Sequence, residues 1–96
     1  MGTTTAHGQQ SIRVTTSNSY LADDYEFRGV ESIDVAMPND LTDAFWIRWK
    51  IAGGDWIERY ITAGHGYIIP CSKGSIVLFN VKAAAATTPD ADIWTS

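Results

Sequence analysis

Apolar side chains recur at every second position along much of this chain, and no segment shows a helical period. The alternation is clearest in residues 45–51 and 56–62, on either side of Ala52-Gly53-Gly54-Asp55. Strict alternation indicates a strand with one buried face, and two such runs joined by a Gly-Gly turn are typical of a β-hairpin. The pattern therefore predicts an all-β fold built around this hairpin.

The hairpin has two candidate registers, which differ in the charges that they place opposite each other. If Ile51 pairs with Trp56, Arg48 faces Arg59, and like charges directly opposite are destabilising. Pairing Ile51 with Ile57 avoids this conflict. We therefore expect the second register.

In that register one face of the hairpin is apolar and the other is charged. Trp49 falls on the apolar face, so we expect it to be buried. Lys50 lies opposite Glu58 on the charged face, which also carries Trp46. A large ring on that face is expected to be exposed or covered by a partner.

Further alternating runs predict more strands, at about residues 11–16, 25–30, 33–37, 67–70 and 76–83. The runs at 25–30 and 33–37 are either two strands or one strand bent at Gly29. The nearly continuous apolar run at 76–83 is typical of a central or fully covered strand. Together the runs predict a single small antiparallel β-sandwich or barrel of six to eight short strands.

Both ends of the chain differ in character from this β domain, which we place at residues 11–83. Residues 1–10 are polar and contain glycine, and residues 84–96 begin with a low-complexity stretch that Pro89 interrupts. Ordering a residue costs about 1–2 kcal/mol of backbone entropy, and these segments hold few apolar groups to offset it. We therefore expect two extended arms that contact other chains, with Ile93 and Trp94 as the apolar anchors.

Charge argues against two classes of partner. The 96 residues include eleven acidic and seven basic side chains, for a net charge of -4, and Lys and Arg form no cluster. Nucleic-acid binding needs a basic patch, and an acidic surface disfavours anionic membranes. No apolar run approaches the ~20 residues of a membrane span, and the first eight residues lack signal-peptide features. We expect no nucleic-acid partner, no membrane contact, and synthesis in a cytoplasm.

The sequence offers no catalytic constellation. His7 and His65 lie far apart, and Cys71 is the only cysteine. Metal sites need convergent ligands at characteristic spacings, and neither a nucleophile elbow, a phosphate-binding loop nor a calcium loop occurs. We expect a protein that is not an enzyme, with no catalytic residues, no metal and no cofactor.

The aromatic residues of the hairpin are the main candidates for binding. Trp46, Trp56 and Tyr60 could form an outward platform that stacks on sugar rings, or they could be covered by another protein. A lone exposed tryptophan is unfavourable in a soluble monomer, which favours the protein contact. The predicted interface residues are therefore Trp46, Trp56, Tyr60, Ile93 and Trp94.

The overall organisation resembles the small virion proteins of tailed bacteriophages, such as capsid decoration or cement proteins and other accessory β-sandwich subunits. The resemblance lies in the short polar arm from Met1, the compact β domain, and the tail Val81-Lys82-Ala83-Ala84-Ala85-Ala86. It implies a structural role in the virion, with the major capsid protein and copies of this chain as partners. The alternative is a carbohydrate- or receptor-binding module that uses the exposed tryptophan and tyrosine rings.

Overall fold

The computed structural model describes residues 3–36, 44–84 and 90–96, and within them it places nine strands. The strands are β1 (Thr3–His7), β2 (Gln10–Thr15), β3 (Asp24–Arg28), β4 (Ser32–Ala36), β5 (Phe45–Ile51), β6 (Ile57–Ile61), β7 (Tyr67–Pro70), β8 (Ile76–Ala83) and β9 (Asp90–Thr95). They form two sheets that pack face to face around a shared core. The predicted all-β class, a small sandwich or barrel, is confirmed as a sandwich, with nine described strands where six to eight were expected.

The two sheets have different sizes and different strand orders. One has five strands in the order β1-β3-β8-β5-β6, and the other has four in the order β2-β9-β4-β7. The pairing of β1 with β3 is parallel, and the other pairings are antiparallel. β8 lies in the middle of its sheet, as its nearly continuous apolar sequence predicted.

The core is an apolar layer between the two sheets. Phe27, Phe45 and Phe79 enter it from the five-stranded sheet, and Ile33 and Ile93 enter it from the four-stranded sheet. Each of these side chains is fully buried, which stabilises the fold by about 1.5–3 kcal/mol per side chain.

Two of the crossings from one sheet to the other take place at glycines with positive φ. Gly8 lies between β1 and β2 with φ 63°, and Gly29 follows β3 with φ 67°. Residues with a Cβ rarely adopt such backbone angles, so glycine suits both crossings. The backbone N–H of Gly8 donates to the carbonyl oxygen of Arg28 at 2.9 Å, which places the two crossings side by side. Residues 24–36 are therefore two strands in different sheets.

The register predicted for the hairpin is wrong by two residues. Trp49 pairs with Ile57 and Arg48 with Glu58, whereas Lys50 does not face Glu58. The last residues of β5 pair only with β8, so the chain must turn through a wider loop before β6 begins. A shift of two residues keeps every side chain on its face, and Trp49 is buried as predicted.

The prediction of two terminal arms is wrong for residues 3–7 and 90–95, which pair with other strands of the domain. Residues 3–7 form β1 along the edge of the five-stranded sheet, and residues 90–95 form β9 between β2 and β4. Ordering these residues costs backbone entropy, which was expected to be offset by contacts with other chains. Ladder hydrogen bonds and the burial of Ala91, Ile93 and Thr95 offset it within the domain. Residues 1, 2 and 85–89 of the predicted arms lie outside the described residues. Residues 3–7 and 90–95 are thus strands of the domain.

This placement predicts that a chain truncated before residue 90 does not fold. β2 pairs with β9, and within the described residues it has no other strand neighbour, so removing residues 90–96 disconnects it from its sheet. We expect circular dichroism to show no cooperative thermal transition for the truncated chain. The matched control removes residues 1–7, because β1 is an edge strand with mostly exposed side chains, and this chain should still melt cooperatively. A cooperative transition after loss of residues 90–96 would contradict the central position of β9.

Candidate functional site

The outer face of the five-stranded sheet carries interleaved aromatic and cationic side chains, which we call the aromatic–cation layer: Tyr20, Trp46, Arg48, Lys50, Trp56 and Lys82. The guanidinium carbon of Arg48 lies 4.3 Å from the centre of the Tyr20 ring and 4.5 Å from that of the Trp56 ring. Nζ of Lys82 lies 4.7 Å from the Tyr20 ring. Each such contact at an exposed position contributes about 0.5–1 kcal/mol. The two cations therefore hold the rings together.

Trp46 and Tyr60 meet at the margin of this layer. They are paired residues on β5 and β6, and their ring centres lie 5.0 Å apart with an interplanar angle of 61°. Nζ of Lys82 lies 5.8 Å from the Trp46 ring. Tyr60 is half exposed, whereas Trp46 and Trp56 are partly covered. The three aromatic residues predicted for binding therefore share one face, but other side chains of the domain already contact the two tryptophan rings.

Asn80 explains why Tyr20 lies on this face. Its side chain points away from the core but is completely buried under the segment that precedes β3. Its Oδ1 accepts hydrogen bonds from the N–H groups of Leu21 and Val81, both at 2.8 Å. Its Nδ2 donates to the carbonyl oxygen of Leu21 at 3.0 Å and to Oδ1 of Asp24 at 2.7 Å. These bonds fix residues 20–21 against β8.

The charges of the aromatic–cation layer are largely satisfied within the domain. The hydroxyl of Tyr20 donates to Oε2 of Glu58 at 2.5 Å, and Arg48 lies 3.8 Å from Oδ1 of Asp24. Burial, and then the hydrogen bond and charge of Glu58, raise the pKa of Tyr20 well above its usual value. Arg48 Nε is buried without a hydrogen-bond partner in the described part of the chain, because its guanidinium group lies between two rings. The layer is thus a structural cluster more than a vacant binding platform.

A second surface lies at the open edge of the same sheet, and we call it the hairpin rim: Ile51 and Ile57. Ile51 pairs with Val77, and Ile57 pairs with Trp49, so both isoleucines point to the core side of the sheet. They are nevertheless 47% and 40% exposed. β6 beside them is the last strand of its sheet among the described residues. The core-facing side of the hairpin therefore extends beyond the cover that the second sheet provides.

A third surface is a depression of about 410 Å³ on the outer face of the four-stranded sheet. Trp94, Asp34 and Ile68 line it side by side, and Ser11 lies next to Trp94 on the other side. Ser32 and Ser96 close one end, with their hydroxyl oxygens 2.7 Å apart. We call this surface the β9 depression.

The predicted interface residues therefore divide between different parts of the molecule. Trp46, Trp56 and Tyr60 lie on the outer face of the five-stranded sheet, and Trp94 lies on the opposite side, in the β9 depression. Ile93 is fully buried in the core of its own domain, so its predicted role as an interface anchor is wrong. Period-two alternation on β9 requires this, because neighbouring residues of a strand point to opposite faces.

Sequence reasoning missed residues that contribute to these surfaces. Asn80 had a local signal, because it is a single amide within the apolar run of β8. Tyr20 had none, since its contacts with Arg48 and Glu58 join segments far apart in the chain. Asp34 and Ile68 become neighbours of Trp94 only through the strand order of the second sheet.

His65 and Cys71 make ordinary local contacts. Nδ1 of His65 lies 3.0 Å from the Thr62 hydroxyl and 3.2 Å from the Ala63 carbonyl oxygen, within its own turn. Cys71 is partly buried, which raises the pKa of its thiol and favours the unreactive protonated form. Within residues 3–36, 44–84 and 90–96, no three His, Cys, Asp or Glu side chains converge as metal ligands. The same ranges contain no helix that is long and apolar enough to cross a membrane.

Comparison with known proteins adds no family assignment. No protein-family model matches the chain, and no curated protein or solved structure is significantly similar to it. The candidate sites of function are therefore the three surfaces of the domain itself.

The raised pKa of Tyr20 predicts a loss of stability in alkaline solution. Tyrosine in the unfolded chain ionises near pH 10, whereas the folded state keeps Tyr20 protonated to higher pH. The stabilisation is therefore complete below about pH 10 and is lost as the pH rises above that value. In urea unfolding, the free energy of unfolding of Tyr20→Phe should fall less steeply than that of the wild type above about pH 10.

Glu58→Gln serves as the companion variant, because it keeps the Tyr20 ring but removes the charge that its hydroxyl contacts. Its alkaline loss of stability should lie between those of the wild type and Tyr20→Phe. Equal pH dependence in the wild type and Tyr20→Phe would show that Tyr20 is not held protonated by the fold.

Proposed function

We propose that this chain is a non-enzymatic subunit of a protein assembly, and that the hairpin rim with the free edge of β6 is its contact surface. The observation that carries the proposal is the exposure of Ile51 and Ile57 on the core-facing side of the sheet. Side chains on that side are normally buried by the opposing sheet. Here a neighbouring subunit would supply the missing cover.

The edge strand supports the same surface. β6 has exposed side chains at Ile57, Glu58, Arg59 and Tyr60, and one side of its backbone has no strand partner among the described residues. An unpaired strand with adjacent apolar side chains is a template for pairing with another chain. Two copies of β6 paired antiparallel would join the sheets of two subunits and cover both hairpin rims.

The particle that we propose for this subunit is the virion of a tailed bacteriophage, as the resemblance to decoration, cement and accessory proteins implies. The partners are then copies of this chain and the major capsid protein, and the location is the virion. The terminal arms do not support this role, because residues 3–7 and 90–95 pair within the domain. The support from the structure is the exposed apolar rim.

The alternative of carbohydrate binding by Trp46, Trp56 and Tyr60 has weaker support. Arg48 and Lys50 lie over the Trp56 ring, and Lys82 and Tyr60 contact the Trp46 ring. A sugar ring that stacked there would have to displace these contacts. The geometry of the rings therefore favours the assembly subunit.

The test measures self-association by sedimentation velocity over a range of protein concentrations. We expect the wild type to associate as its concentration rises, and Ile51→Lys/Ile57→Lys to remain monomeric. Both isoleucines are already about half exposed, so the substitutions should change the free energy of unfolding only modestly, by about 1 kcal/mol or less for each.

The matched control is Thr4→Lys/Asn18→Lys, which adds the same two positive charges at exposed positions that belong neither to the hairpin rim nor to the outer face of the four-stranded sheet. It should associate like the wild type. A wild type that stays monomeric at all concentrations, or a rim variant that associates normally, would contradict the proposed contact surface. Co-sedimentation of the wild type with phage particles, abolished in the rim variant, would identify the assembly as a virion.

A further inference from the structure

Trp94 differs from the other three tryptophans because no lysine or arginine of the described residues contacts its ring. Lysine or arginine groups lie over Trp46, Trp49 and Trp56, at 4.5–6.0 Å from the ring centres. In the described part of the chain no cation and no other ring contacts Trp94, although its side chain is 43% exposed. Its face is therefore accessible to a group from outside the domain.

A carboxylate lies next to this accessible ring. Asp34 on β4 is paired in register with Trp94 on β9, and both side chains line the β9 depression. Directly paired residues on one face have Cβ atoms about 4.5–5.5 Å apart. Within residues 3–36, 44–84 and 90–96, the Asp34 carboxylate has no hydrogen bond or ion pair. Ring and carboxylate can thus contact the same ligand atom.

The charges around the depression select a cationic ligand. Among the described residues that line it, Asp34 is the only one with a charged side chain, and the whole chain has a net charge of -4. In the described strands of this sheet the cation on the same face is Arg13, which forms a two-pronged salt bridge with Asp92 at 2.8 and 3.2 Å. An anionic ligand would find a carboxylate without a compensating positive group, whereas a cation would gain both an ion pair and a ring contact.

Ile68 indicates that the cation is carried on an aliphatic stem. It pairs with Asp34 on the side away from Trp94, lines the depression, and is 62% exposed. A methylene chain packed on Ile68 would place its terminal charge near Asp34 and Trp94. The side chains of arginine and lysine have this construction, with an apolar stem and a charged end.

We propose that the β9 depression binds an arginine or lysine side chain of a partner protein. The cation lies over the Trp94 ring beside the Asp34 carboxylate, and the stem packs on Ile68. The depression is at the lower end of the ~300–1,000 Å³ range of ligand pockets, which suits one long side chain. This inference does not depend on the hairpin rim, which lies on the other sheet.

The experiment titrates the protein with Nα-acetyl-arginine methylamide and follows the four tryptophan indole N–H signals by NMR. The Ile51→Lys/Ile57→Lys variant is used alongside the wild type, so that association through the rim does not affect the result. We expect a saturable shift of the Trp94 signal in both proteins, and no saturable shift with the citrulline derivative, which has the same shape but no charge.

Two variants test the residues of the site. Trp94→Val, which replaces the ring with a residue of high strand propensity, should abolish the shifts that arginine causes in neighbouring amide signals. Asp34→Asn should weaken binding at least several-fold, whereas Asp55→Asn removes the same charge from the exposed hairpin turn and should bind like the wild type. Circular dichroism establishes that each variant is folded.

Several outcomes would overturn the inference. Equal affinity for the citrulline derivative would show that the positive charge does not contribute to binding. A Trp94 shift with glucose or N-acetylglucosamine but not with arginine would show that the depression binds sugars. Affinity for guanidinium chloride equal to that for the arginine derivative would show that the stem contributes nothing and that the ligand is a free small cation. A failure of the proposed assembly function would be detected in the sedimentation-velocity experiment and not in this NMR titration.

Discussion

The whole arrangement depends on the insertion of the last strand between β2 and β4. Residues 90–95 pair on one side with a strand near the start of the chain and on the other with β4, and so connect the two halves of the four-stranded sheet. Ile93, fully buried, then belongs to the same core cluster as the phenylalanines of the opposite sheet. Most pairings in this fold join residues that are distant in the chain, so the core forms only after long loops have closed.

The outer face of the five-stranded sheet shows how a small sandwich uses aromatic residues without leaving them free. Asn80 fixes the segment that carries Tyr20, and Arg48 and Lys82 then lie between rings from different parts of the chain. The layer acts as a partial third layer over the sheet. A ligand would gain little by binding rings that other side chains of the domain already contact. The exposed apolar groups lie instead at the sheet edge and on the opposite sheet.

The sequence predicted those features that depend on local alternation. The hairpin, the central β8 and the burial of Trp49 all follow from the period of two. The register was wrong by two residues because the charge argument excluded only the odd shift, and an even shift preserves both faces. β9 was missed because its inward residues include the small Ala91 and Thr95, which give a weak hydrophobic signal. The β9 depression could not be foreseen, since strand order across a sheet is not a local property.

The two proposed surfaces differ in the symmetry that they permit. Antiparallel pairing of one β6 with another uses the same surface on both subunits, so it closes after two copies. A site for a basic side chain is not self-complementary, and it lies on the opposite sheet. The partner in the β9 depression is then a different surface, either on another protein or elsewhere on a further copy. A subunit with one closed and one open contact can link pairs into a larger lattice, whereas either contact alone would give only dimers or simple chains and rings.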